Sequence, residues 1–195
     1  MKIIKPIVNY INSYLQTGKL NGRAFQSGQW YGLCEMFAGT DEDGQQYFGI
    51  TYNGEDVTPE DTYNVNVYHR CLSVTPFNVQ PGQFGNGQSV IGVRFNMRAI
   101  VFADTERLAM DGNDLAVLFY AGLPSEVKRS ELSIAGLHRV VIGVNSMDTE
   151  ADKVFQGEFR APLPGQLVRS VLIAVNYSIE IQADRTCLAC SDCND

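Results

Sequence analysis

Two stretches of this chain alternate apolar and polar residues for longer than an ordinary strand lasts. From Ile91 to Val101, the residues Ile91, Val93, Phe95, Met97, Ala99 and Val101 fall on one face, opposite Arg94, Asn96 and Arg98. From Val171 to Ala183, the set Val171, Ile173, Val175, Tyr177, Ile179 and Ile181 opposes Asn176, Ser178, Glu180 and Gln182. A period of two is the signature of β-structure. At roughly 3.3 Å per residue the two strands reach about 35 to 43 Å, against about 17 to 20 Å for a typical strand. Strands of that length protrude from a small domain, and a protruding strand needs a partner for its edge. The expected fold is α+β: a mixed, largely antiparallel sheet with long protruding strands and a few short helices packed on one face.

A chain of 195 residues, 45% hydrophobic and 19% charged, buries a core without disulfide staples. The expectation is a single domain over 1–195, with a β-rich insert at about 30–88 and a Cys-rich tail at 185–195. The balance of 15 basic against 22 acidic residues gives a net charge of −7. That lacks the basic footprint of a dedicated nucleic-acid binder and suits a surface past which DNA slides without sticking. No run approaches the roughly 20 apolar residues of a membrane span, so no membrane partner is expected. Near the N-terminus Pro6, Asn9, Asn12 and Ser13 interrupt any apolar core, which argues against a secretion signal. Five cysteines, three of them crowded at the C-terminus, do not form a secreted disulfide framework. A soluble protein folded in a cytoplasm is expected.

Along the chain, Pro6 suits the first turn of a helix, and Ile7, Val8, Ile11, Tyr14 and Leu15 follow as one apolar stripe that Gly18 ends. Leu33 to Phe37 and Gln46 to Tyr52 read as strands around the turn signal Asp43-Gly44, and a second signal, Asn53-Gly54, follows. After an acidic loop at Thr58 to Asp61, Val65 to Ser73 reads as another strand. A glycine-rich loop, Gln80 to Gln88, feeds the first long strand. Asp111 to Asn113 offers cap residues for a helix carrying Leu115, Leu118 and Phe119, ended by Gly122 and Pro124. His138 to Val144 is apolar enough for a strand, Asp148 starts a helix carrying Val154, Phe155 and Phe159, and Ala161 to Gln166 is a connector.

Each candidate site has a plain reading beside it. Cys187, Cys190 and Cys193 form C-x-x-C-x-x-C, a spacing that holds zinc or feeds an iron–sulfur cluster, but a closed zinc site needs a fourth ligand. Cys34, Cys71, His69 and His138 are distant in sequence, and no metal site or cofactor is assigned. His69 and Cys71 lie two apart on a strand, so they share a face and in principle form a thiolate–imidazole pair. The glycines at 82, 85 and 87 precede a strand rather than a helix and lack a following Gly-Lys-Ser/Thr, so they read as loop. Asp41 to Gly44 lacks the ligand spacing of a calcium loop, and Asn176-Tyr-Ser178 matches a glycosylation acceptor but lies inside a strand. No catalytic set emerges, and the chain is expected not to be an enzyme.

As an order of elements, the chain resembles the tail-terminator and neck-ring proteins of tailed bacteriophages. Lys5 to Leu15, Val93 to Leu123, and Phe155 to Gln182 with Tyr177-Ser-Ile-Glu-Ile in the last strand carry the resemblance, over about half the chain. It is one of pattern, without a diagnostic motif. The insert from Trp30 to Gln88 and the Cys-rich tail depart from the compact family plan. The resemblance implies a virion protein, assembled in the host cytoplasm, that forms a homo-oligomeric ring joining head to tail or terminating the tail. Its implied partners are its own copies, neighbouring neck, tail or portal-associated proteins, and genome DNA that passes through without sequence-specific binding. No site residues carry over, because such proteins act through interfaces. The alternatives are a binding module recognising glycan or protein through Trp30, Tyr31, Tyr47, Tyr52 and Phe84, and a metal-binding protein using the tail cysteines.

Overall fold

The computed structural model describes residues 3–17, 28–40, 44, 46–57, 65–79, 90–159 and 170–185. The elements run α1 (Ile4–Thr17), β1 (Gln29–Thr40), β2 (Gln46–Tyr52), β3 (Glu55–Val57), β4 (Val65–Phe77), β5 (Val90–Asp104), α2 (Thr105–Leu108), α3 (Gly112–Gly122), β6 (Glu126–Val127), α4 (Arg129–Leu132), β7 (Leu137–Asp148), α5 (Ala151–Phe159) and β8 (Ser170–Asp184). The strands form one sheet in the order β3-β2-β1-β4-β5-β8-β7-β6. Only β1 and β4 pair in parallel; every other neighbour is antiparallel. The fold is α+β with a mixed, mostly antiparallel sheet.

The two long alternating stretches are the centre of that sheet. β5 and β8 pair without interruption from Val90↔Asp184 to Asp104↔Ser170. Their odd-numbered residues, from Phe95 to Ala103 and from Ile173 to Ala183, point into the larger core, with Val65 and Val67 of β4 and Val140 and Ile142 of β7. α1, α3 and the segment around α4 cover this face. α1 contributes Ile4, Ile7, Val8, Ile11 and Leu15. Tyr14, read from the sequence as part of the same stripe, is 44% exposed. At about 100° per residue it sits roughly 80° round from the stripe's centre, and its ring packs at 6.0 Å from Tyr10 instead. Asp111 caps α3 as its residue type suggests, its Oδ1 accepting from the N–H groups of Asn113 and Asp114.

The opposite face changes character along its length. Around Ile100, Phe102, Leu172 and Ala174 it is buried by Tyr31, Cys34 and Ile50 from β1 and β2 and by Val154 and Phe155 of α5. α5 therefore lies on the face that the other helices leave, as a single covering helix at one end. It starts at Ala151 rather than Asp148, because Asp148 is the last residue of β7, where its Oδ1 accepts the N–H of Glu150. Beyond this cluster Arg94 is exposed, and Asn96, Ser178 and Glu180 are partly so.

Other boundaries are longer than the local pattern suggests. β1 begins at Gln29 and β4 continues to Phe77. Asn53 (φ 54°) and Gly54 (φ 87°) both take the left-handed conformation that a two-residue hairpin turn requires, and Gly44 (φ 79°) takes it after β1. The loops expected at Thr58 to Asp61, Gln80 to Gln88 and Ala161 to Gln166 lie outside the described residues.

Candidate functional site

β1 starts beside β4 in parallel, at Gln29↔Asn66, and leaves it after Leu33↔His69 to pair with β2 from Cys34 onward. The fork opens a cleft of about 710 Å³ lined by Lys5, Leu33, Cys34, Glu35, Thr51, Asn53, Gly54, Arg70 and Cys71. Lys5 Nζ donates to Asn53 Oδ1 at 3.0 Å, tying the start of α1 to the β2–β3 turn. Chemically the cleft is quiet. Burial pushes the Cys34 thiol up to about 12, and its Sγ–H donates to the Gly32 carbonyl at 3.4 Å. Burial also raises Cys71, so neither sulfur carries the thiolate that nucleophilic chemistry needs.

His69 does not meet Cys71. It lies fully buried on the helix-covered side of β4, its Nε2 2.7 Å from Asn12 Oδ1 and its Nδ1 2.8 Å from the Tyr177 hydroxyl. Asn12 donates its Nδ2–H to the Tyr31 carbonyl at 2.8 Å, which turns its oxygen towards the imidazole. Nε2–H therefore donates to Asn12, and Nδ1 accepts from Tyr177. Burial drives the His69 pKa down to about 3 and raises that of Tyr177, so both stay neutral. This is a closed hydrogen-bond chain joining α1, β4, β8 and β1, with both imidazole nitrogens engaged. Asn12 was legible only as a polar residue at the edge of an apolar helix stripe.

A second polar cluster sits where the opposite face turns from buried to open. Glu158 of α5, its side chain 4% exposed, accepts a hydrogen bond from Arg70 at 2.5 Å and forms an ion pair with Arg98 at 2.7 Å. Beyond it, cross-strand pairs occupy the sheet surface. Asn96 Nδ2 donates to Ser73 Oγ at 2.8 Å, Asn176 Nδ2 to Ser146 Oγ at 2.9 Å, and Arg94 reaches Glu180 at 2.6 Å. Arg70, Arg94 and Arg98 share two carboxylates, Glu158 and Glu180, so the acidic excess of the chain is not concentrated in this cluster.

No family model matches the chain, and no curated protein matches it.

Among the described residues no group of three or more His, Cys, Asp or Glu side chains is placed to hold a metal ion, and the tail cysteines lie outside them. The glycine-rich loop and Phe84 also lie outside. Tyr31 is buried, stacked on Tyr68 at 4.8 Å and edge-on to Tyr52 at 5.7 Å, and Trp30 packs against the helix-side core. These aromatics build the core of the fork. Asn176, of the glycosylation-like triplet, is bonded within the sheet. Among the described residues no helix is long and apolar enough to cross a membrane.

Proposed function

We propose that this chain is a non-enzymatic structural subunit of a homo-oligomeric ring in the neck or tail of a tailed bacteriophage, set around the channel through which DNA passes. The observation that carries the reading is the half-covered sheet. Four long strands, β4, β5, β8 and β7, extend one polar face past the cluster of α5 and β1, and its side chains are tied to one another across the strands. A hydrogen-bonded surface whose arginines are engaged by carboxylates suits a channel wall, since free cations would trap a phosphate backbone. The neutral, enclosed His69 and the protonated Cys34 support a structural rather than catalytic role. The element order resembling neck-ring and tail-terminator subunits gives the same direction. Its sites of action would be the virion and, during assembly, the host cytoplasm.

Negative-stain electron microscopy of the purified chain at high concentration tests this. Closed rings with a hole wide enough for duplex DNA are expected. A monodisperse monomer at every concentration, unable to join purified neck or tail particles, would overturn it.

A further inference from the structure

Each of the two outer strands of the protruding sheet has a stretch that no described strand pairs with. β4 is held by β1 only at Asn66, Val67 and His69, so Ser73 to Phe77 pair with β5 alone. Leu72 and Val74 are each 48% exposed there. β7 is covered by β6 at Val140 and Val141, and the Ile142 N–H reaches the Ser125 carbonyl; from Gly143 to Asp148 it pairs with β8 alone. Unpaired edges of this length are templates for strand addition.

We infer that these two edges are the two halves of one interface: Leu72–Thr75 of one subunit pairs, antiparallel, with 143–148 of the β7 edge of the next. This inference rests on the ring reading and names its joint. Three relationships select a second copy as the occupant. The first is direction. β4, β5, β8 and β7 alternate, so β7 of one copy and β4 of an identically oriented neighbour run in opposite senses, the geometry of an antiparallel ladder. The second is offset. Thr75 is level with Arg94, while Ser146, through Asn176, is level with Arg98, four residues further along β5. Four residues over four strands is the stagger of about one residue per strand that a closed, tilted barrel wall needs. Level pairing, Ser73 against Gly143, is open at both edges but lacks the stagger that a closed, tilted wall needs. The third is curvature. β4 carries an extra residue at Leu72, between the partners of Met97 and Asn96, and β7 carries one at Asn145, between the partners of Tyr177 and Asn176. The two bulges stand at nearly the same height on opposite sides of an unbroken β5–β8 pair, and bulges bend sheets at barrel rims. Pro76 lacks an N–H, which confines the new ladder to the residues before it.

The joint is heterologous, with different surfaces on each partner, and gives a ring where the rotation between neighbours closes. The test places a photo-crosslinker at the exposed polar-face position, Thr75→p-benzoylphenylalanine, in the full-length chain, with equal amounts of ¹⁴N- and ¹⁵N-labelled subunits. Within one subunit β4 and β7 stand about 14 Å apart across the intervening strands, so a mixed-isotope product reports the neighbour. The expected result is a mixed-isotope cross-link to the tryptic peptide Val140–Lys153. Rings that cross-link only elsewhere would overturn the joint and leave the ring reading intact. Absence of both rings and cross-links would overturn both.

Discussion

His69 and Asn12 are joined at 2.7 Å in the centre of the protein, and that single contact fixes the tautomer of the imidazole. Because Asn12 is itself held by the Tyr31 carbonyl, its oxygen has one orientation, and the imidazole presents its N–H to it. Replacing Asn12 with Ala strands a buried Nε2–H and a buried carbonyl. The expected cost is about 1–3 kcal/mol in denaturant unfolding.

The same burial gives a pH dependence. In the unfolded chain His69 titrates at its ordinary 6.5, and in the folded protein it is held down to about 3. Below pH 6.5 the unfolded chain takes up a proton that the folded one refuses, so stability falls as pH drops from 6.5 towards 3. Between pH 7 and 5 the loss from this residue is about 2 kcal/mol. Urea unfolding at both pH values should show a loss smaller by about that amount in His69→Gln than in the natural chain. Equal losses would show that the imidazole is not held neutral.

Glu158 is the hinge between covered and open sheet. Glu158→Gln keeps its shape but leaves Arg70 and Arg98 facing each other without a carboxylate. Arg98 is 17% exposed and Arg70 35%, so water offsets part of the cost of a broken buried pair. A loss of about 1–3 kcal/mol is expected, and thermal unfolding would read it.

The Phe77 ring occupies the space a side chain at position 92 would need: a Cβ there would come within 2.4–2.6 Å of three ring atoms. Gly92→Ala should cost about 1–3 kcal/mol through overpacking. Adding Phe77→Ala should recover part of that loss, a non-additivity that a double-mutant cycle measures.

Asp111→Ala removes the acceptor for two orphan N–H groups of α3 and should cost about 1 kcal/mol, while Asp111→Asn should retain most of the stability.

The sheet's centre was legible because alternation over eleven and more residues has no helical reading, and β5 and β8 appear where Ile91 and Val171 begin to alternate. The α3 cap and the Asn53-Gly54 turn were legible because both are local chemistry. The hydrogen-bond chain was not. Asn12 and Tyr177 are 165 positions apart, and nothing local marks a tyrosine on an apolar face as a bonded one. The place of α5 was hidden for the same reason. Its apolar residues Val154 and Phe155 say that one side is buried, and only the strand order decides against which face. The fork of β1 likewise depends on a parallel pairing that no turn signal announces.

β8 comes last among the described strands yet fills the slot between β5 and β7. While the ribosome is still making it, the two strands that will flank it have no common neighbour, and Tyr177 has not arrived to close the chain begun at Asn12. The β5 and β7 edges that β8 fills therefore stay open, two rows of backbone donors and acceptors, until β8 has been made. A chain stopped short of β8 would thus lack the one strand that joins the two halves of its sheet.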